Sequence, residues 1–76
     1  MKLFYEAEYQ EYEIKDIKYS KENYDYYATT KITLLTFYNL ENIEKEITFH
    51  GYLSIDRIIC ELDKIDLKEM FEIGEE

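Results

Sequence analysis

Residues 24–50 read YDYYATTKITLLTFYNLENIEKEITFH, and their pattern predicts two neighbouring strands of a β-sheet. Tyrosine, threonine, isoleucine and leucine dominate its first part, which predicts a β-strand over residues 24–38. Leu34 points to one side of that strand, whereas Leu35 and Phe37 point to the other. Apolar residues on both sides favour a central strand, or a second face that meets a partner.

The remainder of the stretch predicts the next strand of an antiparallel sheet. Residues 39–42 (Asn-Leu-Glu-Asn) have the length and composition of a hairpin connection. A strand over residues 43–50 follows, with Ile47 inward and with Glu44 and Glu46 outward. The two strands therefore form a hairpin with one acidic outer row.

Upstream, apolar and polar residues alternate over residues 3–10 with the period of a half-buried strand. The apolar positions are odd-numbered at first, become even-numbered at Tyr12, and are odd-numbered again at Ile17. Such switches indicate β-bulges in one long bent strand, or two short strands with a kink near residues 10–11. Residues 20–23 (Ser-Lys-Glu-Asn) predict a turn into the following strand.

After Gly51 the apolar period becomes helical, and Ser54 is the expected N-cap. A buried stripe at i, i+3, i+4 and i+7 consists of Ile55, Ile58, Ile59 and Leu62. Asp66 has the capping-box spacing for a further short helical turn. The fold class is therefore α+β: an antiparallel β-meander of three to four strands, with one C-terminal helix packed on one face and a short extra turn. We expect a single domain over residues 1–76.

The length allows only a small core. A chain of 76 residues buries roughly 60–65% of its unfolded surface, and one such core supplies about 3–5 kcal/mol. Cys60 is the only cysteine, which excludes an internal disulfide and fits a reducing compartment. No apolar run reaches 18 residues and no signal peptide is visible, so we expect a cytoplasmic protein that does not enter a membrane.

The net charge of −9 is distributed unevenly along the chain. Residues 1–14 carry −3 and residues 61–76 carry −5, whereas residues 15–40 carry +1 and are rich in tyrosine. A negative field repels nucleic acid and anionic membranes and attracts basic protein surfaces. We therefore expect a basic protein surface as the partner and no direct contact with nucleic acid.

Candidates for catalysis are few. His50 is the only histidine, and no predicted element places a nucleophile or an orienting carboxylate beside it. Cys60 falls on the outer face of the predicted helix among carboxylates, which disfavours a reactive thiolate. The two glycines stand alone, so no phosphate-binding loop exists, and no metal or cofactor site is expected. We predict that the protein is not an enzyme.

Acidic and aromatic residues together form the candidate binding surface. Carboxylates on one strand face repeat about every 6.6 Å and, beside aromatic planes, imitate the phosphates and bases of a nucleic acid. They are also able to occupy the arginines of a cleft that binds DNA or RNA. The predicted partner-binding residues are Glu6, Glu8, Glu44, Glu46, Glu61, Asp63, Asp66, Glu69, Tyr26 and Tyr27.

In length, acidity, residue usage typical of AT-rich coding DNA, and meander-plus-helix pattern, the chain resembles small phage-encoded inhibitors, especially anti-CRISPR proteins. The resemblance lies in overall character and no motif aligns. It implies a phage- or mobile-element-encoded inhibitor of the DNA-mimic type that blocks a Cas nuclease or another nucleic-acid-processing enzyme in a bacterial host. Two alternatives stay open: an acidic adaptor that binds a housekeeping complex such as a polymerase, and a domain that self-associates. The expected state is a monomer or a homodimer.

Overall fold

The computed structural model describes residues 2–21 and 28–74. Its elements are four strands, β1 (Leu3–Ala7), β2 (Gln10–Lys21), β3 (Ala28–Tyr38) and β4 (Glu41–His50), and two helices, α1 (Ile55–Leu62) and α2 (Leu67–Phe71). The strands form one antiparallel sheet in the order β1-β2-β3-β4. The predicted α+β meander with a helix and a short extra helix is confirmed.

The two switches of the apolar residues between odd-numbered and even-numbered positions, at Tyr12 and at Ile17, have different causes. The first switch is a two-residue turn at Glu8–Tyr9 that separates β1 from β2, so the predicted kink near residues 10–11 lies two residues too late. The second is a bulge in β2, where the register shifts between Ile14 and Asp16. Residues 3–21 are therefore two strands, the longer of which is bulged.

Other predicted boundaries move by a few residues. The connection predicted over residues 39–42 shortens to a turn at Asn39–Leu40, because Glu41 already pairs with Tyr38. Ser20 and Lys21 belong to β2, so the turn predicted over residues 20–23 does not begin there. The rest of that turn and the first four residues of the predicted strand 24–38 lie outside the described residues.

One face of the sheet carries the core, and both helices pack on it. The core cluster consists of Tyr12, Ile14, Ile32, Leu34, Ile47, Ile58, Leu62, Leu67, Phe71 and Ile73. Two buried threonines between the apolar rows bond to backbone: Thr30 donates to the Gly51 carbonyl at 2.7 Å and Thr36 donates to the Glu11 carbonyl at 2.7 Å. The hydroxyls of both buried threonines are thus hydrogen-bonded.

The helix termini are capped as the sequence predicts. The Ser54 side chain accepts from the Arg57 N–H at 3.3 Å, and the Asp66 side chain accepts from the Glu69 N–H at 3.2 Å. Ile55 departs from the predicted buried stripe, because at the first position of α1 it remains 43% exposed. Among the described residues, no helix is long and apolar enough to cross a membrane.

Candidate protein-binding surface

The face of the sheet opposite the helices carries exposed aromatic side chains. Phe4 on β1 is 51% exposed and Phe37 on β3 is 60% exposed, with half-buried Leu35 also on this face. They border a shallow depression of about 400 Å³. We call this surface the open face. Aromatic side chains at this degree of exposure are typical of protein interfaces rather than of a solvated sheet.

Carboxylates surround these aromatic groups. Glu13 lies opposite Phe4 on one side and opposite Leu35 on the other. Glu6 lies directly opposite Glu11 across the β1–β2 pair, an arrangement of like charges that destabilises a sheet. Among the described residues, none of Glu6, Glu11 and Glu13 forms a salt bridge. Lys15 lies near enough to Glu13 for that carboxylate to help raise the pKa of Lys15, so the facing pair Glu6 and Glu11 is the part of the open face whose negative charge stays without a nearby cation among the described residues.

The predicted residues Glu44 and Glu46 also lie on the open face. Both are exposed on β4. Glu44 accepts a hydrogen bond from the Lys15 ammonium at 2.8 Å, and this bond raises the pKa of Lys15. Lys15 occupies the bulge of β2, which turns its side chain toward β4. Glu44 is thus partly compensated, whereas Glu46 forms no salt bridge with a described residue.

Two strained turns lie at one end of the sheet. Glu8 and Tyr9 have φ of 51° and 66°, and Asn39 and Leu40 have φ of 55° and 65°. Two-residue hairpin turns of type I′, the type with φ above zero at both central positions, normally place glycine at the second one. Tyr9 and Leu40 occupy that second position instead, and they are 102% and 88% exposed. The chain thus holds two large apolar side chains in solvent on strained backbone, a feature that clusters at functional sites.

Charge is segregated between the two ends of the sheet. The turn end, made of residues 2–14, 34–45 and 61–74, holds eleven acidic and four basic side chains. The far end, made of residues 15–21, 28–33 and 46–60, holds three acidic and five basic side chains. Such a molecule presents its turn end to a basic surface as it approaches by diffusion.

The predicted residues of the helices lie on the other side of the sheet. Glu61 on α1 forms salt bridges with Arg57 at 3.3 Å and Lys64 at 3.4 Å. Asp66 caps α2 and Glu69 is exposed in its first turn. These carboxylates share the turn end with Glu6 but not the open face, so the predicted set divides between two faces.

Glu8 lies in the β1–β2 turn and not on a strand with Glu6, because the chain reverses immediately after Ala7. Tyr26 and Tyr27 lie outside the described residues.

Asp63 is tied to the sheet. The Tyr5 hydroxyl donates to its carboxylate at 2.5 Å. Burial and this hydrogen bond raise the pKa of Tyr5 to about 12. The bond joins β1 to the segment after α1 and fixes one predicted carboxylate at the turn end.

His50 and Cys60, the two residues considered as candidates for catalysis, lie on different elements of the fold. Each is exposed, His50 at the end of β4 and Cys60 on the outer side of α1. Within residues 2–21 and 28–74, no group of three metal-ligating side chains is close enough to hold a metal ion.

Sequence reasoning missed the residues that give the open face its character. The outward position of Glu11 and Glu13 was not predicted, because it depends on the residue at which β2 begins. Tyr9 read as a strand residue, because neither Glu8 nor Tyr9 is typical of a turn. The available signal was the first switch in apolar position, since a two-residue hairpin pairs odd-numbered residues with even-numbered ones.

Comparison with protein-family models, with curated proteins and with solved structures found no match.

Proposed function

We propose that this protein is a non-catalytic inhibitor that binds a basic, nucleic-acid-binding surface of another protein through its open face and turn end. The observation that carries the proposal is the facing pair Glu6 and Glu11, which forms no salt bridge with a described residue and lies beside exposed Phe4 and Phe37. The same aromatic groups, buried in a complex, supply the apolar contacts that anchor an interface.

The target that fits this surface is a cleft lined with arginine and lysine. Such clefts bind phosphates through charge-assisted, often bidentate hydrogen bonds, and carboxylates form the same bonds. Glu6 and Glu11 are adjacent across two strands, so one guanidinium between them would relieve their mutual repulsion. Binding therefore removes a cost that the free protein carries.

The enzyme class proposed for the target is a bacterial defence nuclease or another nucleic-acid-processing enzyme, with a phage or mobile element as the source of this chain. The support is the charge arrangement together with the resemblance in character to anti-CRISPR proteins. A bacterial cytoplasm as the site of action belongs to the same proposal.

Matched bait variants test the proposal. Wild-type protein, Glu11→Lys and Asp56→Lys are immobilised and exposed to a lysate of a low-GC bacterium, and retained proteins are identified by mass spectrometry. The two variants change the net charge equally, but Asp56 lies on α1 at the far end. We expect wild type and Asp56→Lys to retain the same nucleic-acid-binding protein and Glu11→Lys to lose it. Retention by all three baits, or capture of a protein that binds no nucleic acid, would contradict the proposal.

A second copy of the chain is the alternative occupant of the open face. The observation that favours it is the pair Lys18 and Lys31, which lie opposite each other toward the far end of the same face. An antiparallel dimer would place these lysines over the carboxylates of its partner. Light scattering at high micromolar concentration decides: a dimer that Phe37→Ser dissociates supports this alternative, and a monomer removes it.

A further inference from the structure

A second candidate site lies on the helical side of the turn end. A cleft of about 410 Å³ separates the β1–β2 hairpin from the segment that joins α1 to α2. Tyr5 and Tyr12 line it from the sheet, and Glu8, Asp63 and Asp66 contribute carboxylates from the surrounding turns. The cleft is thus a polar recess and not part of the open face.

Tyr12 gives this cleft an unmet hydrogen-bonding requirement. Its side chain is fully buried, and its hydroxyl has no hydrogen-bond partner among the described residues. A buried hydroxyl without a partner costs about 1–3 kcal/mol, and native folds generally avoid the arrangement. Burial, followed by the nearby charges of Glu8 and Asp66, raises the pKa of Tyr12, so the hydroxyl stays protonated at neutral pH.

The charges around this hydroxyl select the sign of a ligand. Glu8 and Asp66 form no salt bridge with a described residue. Lys64 also lines the cleft, but it is engaged with Glu61 at 3.4 Å, and Lys68 adds one further positive charge. Three carboxylates against two ammonium groups leave the recess net negative, which favours a cation.

We propose that this cleft receives an arginine side chain of the partner protein, with its guanidinium bound by Asp63, Asp66 and the Tyr12 oxygen. Arginine fits better than lysine because its planar donors reach several acceptors at once, and a less strongly hydrated cation enters a recess more readily. Asp63 is already occupied by Tyr5, so the guanidinium takes over that carboxylate as it enters. The Tyr12 hydroxyl has less than 1 Å² of accessible surface, so a shift of the cleft wall accompanies binding.

This inference rests on the proposed function for the identity of the partner, but its test needs no partner. The probe is N-acetyl-arginine methylamide, titrated into the isotope-labelled protein and followed by NMR. The controls are N-acetyl-lysine methylamide and N-acetyl-norleucine methylamide, which carry a different cation and no charge. We expect saturable shifts confined to the cleft residues for the arginine amide alone.

Two conservative variants sharpen the test. Tyr12→Phe removes the unpartnered hydroxyl and should weaken arginine-amide binding about tenfold, the effect of one hydrogen bond to a charged group, while leaving thermal stability equal or higher. Tyr5→Phe releases Asp63 and should leave binding unchanged or tighter. If Tyr5→Phe lost arginine-amide binding while Tyr12→Phe bound as tightly as wild type, the assignment of this cleft as an arginine site would be overturned.

The remaining outcomes separate this inference from the proposed function. Equal chemical-shift changes with the lysine amide, or changes spread over both faces of the sheet, would show general charge attraction. Either result would overturn the cleft as a specific arginine site. Tighter binding of free arginine than of the blocked amide would indicate a small-molecule ligand and overturn the partner side chain. Loss of partner capture in Glu11→Lys with no arginine-amide binding would leave the open-face proposal standing and remove this one.

Discussion

Replacing Tyr9 and Leu40 by glycine should stabilise the protein while weakening its binding. A non-glycine residue in the left-handed region costs about 1–2 kcal/mol, and both residues have φ near 65°. Glycine also has more conformational freedom in the unfolded chain, and this entropy lowers the free energy of unfolding by about 0.4–1 kcal/mol. With both effects taken near the middle of their ranges, the net gain in the free energy of unfolding is about 0.5–1 kcal/mol per turn. Both side chains are almost wholly exposed, so their removal forfeits little packing in the free protein.

Thermal unfolding followed by circular dichroism measures this gain. A change of 1 kcal/mol moves the Tm of a domain this size by about 4–8 °C, so each glycine variant should melt about 2–8 °C higher. Leu40→Ala is the matched control, because it removes the same side chain but keeps a β-carbon on the strained backbone. Leu40→Ala should have the same Tm as wild type or a lower one. A Tm that falls in both glycine variants, or rises equally in Leu40→Ala, would show that strain at these two positions does not lower the stability of the protein.

Three further predictions concern the core, the open face and the hairpin contact. Ile58→Ala should lower the free energy of unfolding, measured by urea titration, by about 2–5 kcal/mol and leave much of the protein unfolded. Ile55→Ala on the same helix should lower it by less than about 1 kcal/mol, because Ile58 is fully buried and Ile55 is 43% exposed. Glu11→Lys should raise stability by about 0.2–1 kcal/mol, since it converts repulsion across β1–β2 into attraction; a lower Tm for this variant would contradict the register. The pKa of Tyr5 is raised to about 12 from its ordinary value of 10.0, so its contribution to stability is complete below pH 10 and disappears as pH rises through 12. The stability difference between wild type and Tyr5→Phe should therefore shrink over that range, and a constant difference would count against the contact.

The sequence was sufficient for the elements whose signal is local. The helical spacing of Ile58 and Leu62, the caps at Ser54 and Asp66, and the alternation around Ile47 each follow from a few neighbouring residues. All of them are present in the structure. The fold class follows from these local signals, because a meander of consecutive hairpins needs no long-range pairing to be guessed.

The arrangement of the candidate site depended on register, which local patterns do not fix. Glu11 and Glu13 face outward only because the Glu8–Tyr9 turn pairs Tyr5 with Tyr12. A shift of one residue would send the same carboxylates to the core face. The burial of Ile55 was wrongly predicted for a different reason: helical spacing identifies the residues that share one face of a helix, but not how much of that face the rest of the fold covers, and Ile55 remains 43% exposed.

Displacement of nucleic acid is the most direct measure of whether this protein occupies a nucleic-acid-binding surface of its partner. A fluorescent oligonucleotide is bound to the purified partner, and its anisotropy is followed as this protein is added at several salt concentrations. We predict that anisotropy falls to the value of free oligonucleotide at saturating protein, and that the concentration required rises steeply with salt. An anisotropy that stays constant or rises, which reports a complex of all three molecules, would contradict occupation of the nucleic-acid-binding surface.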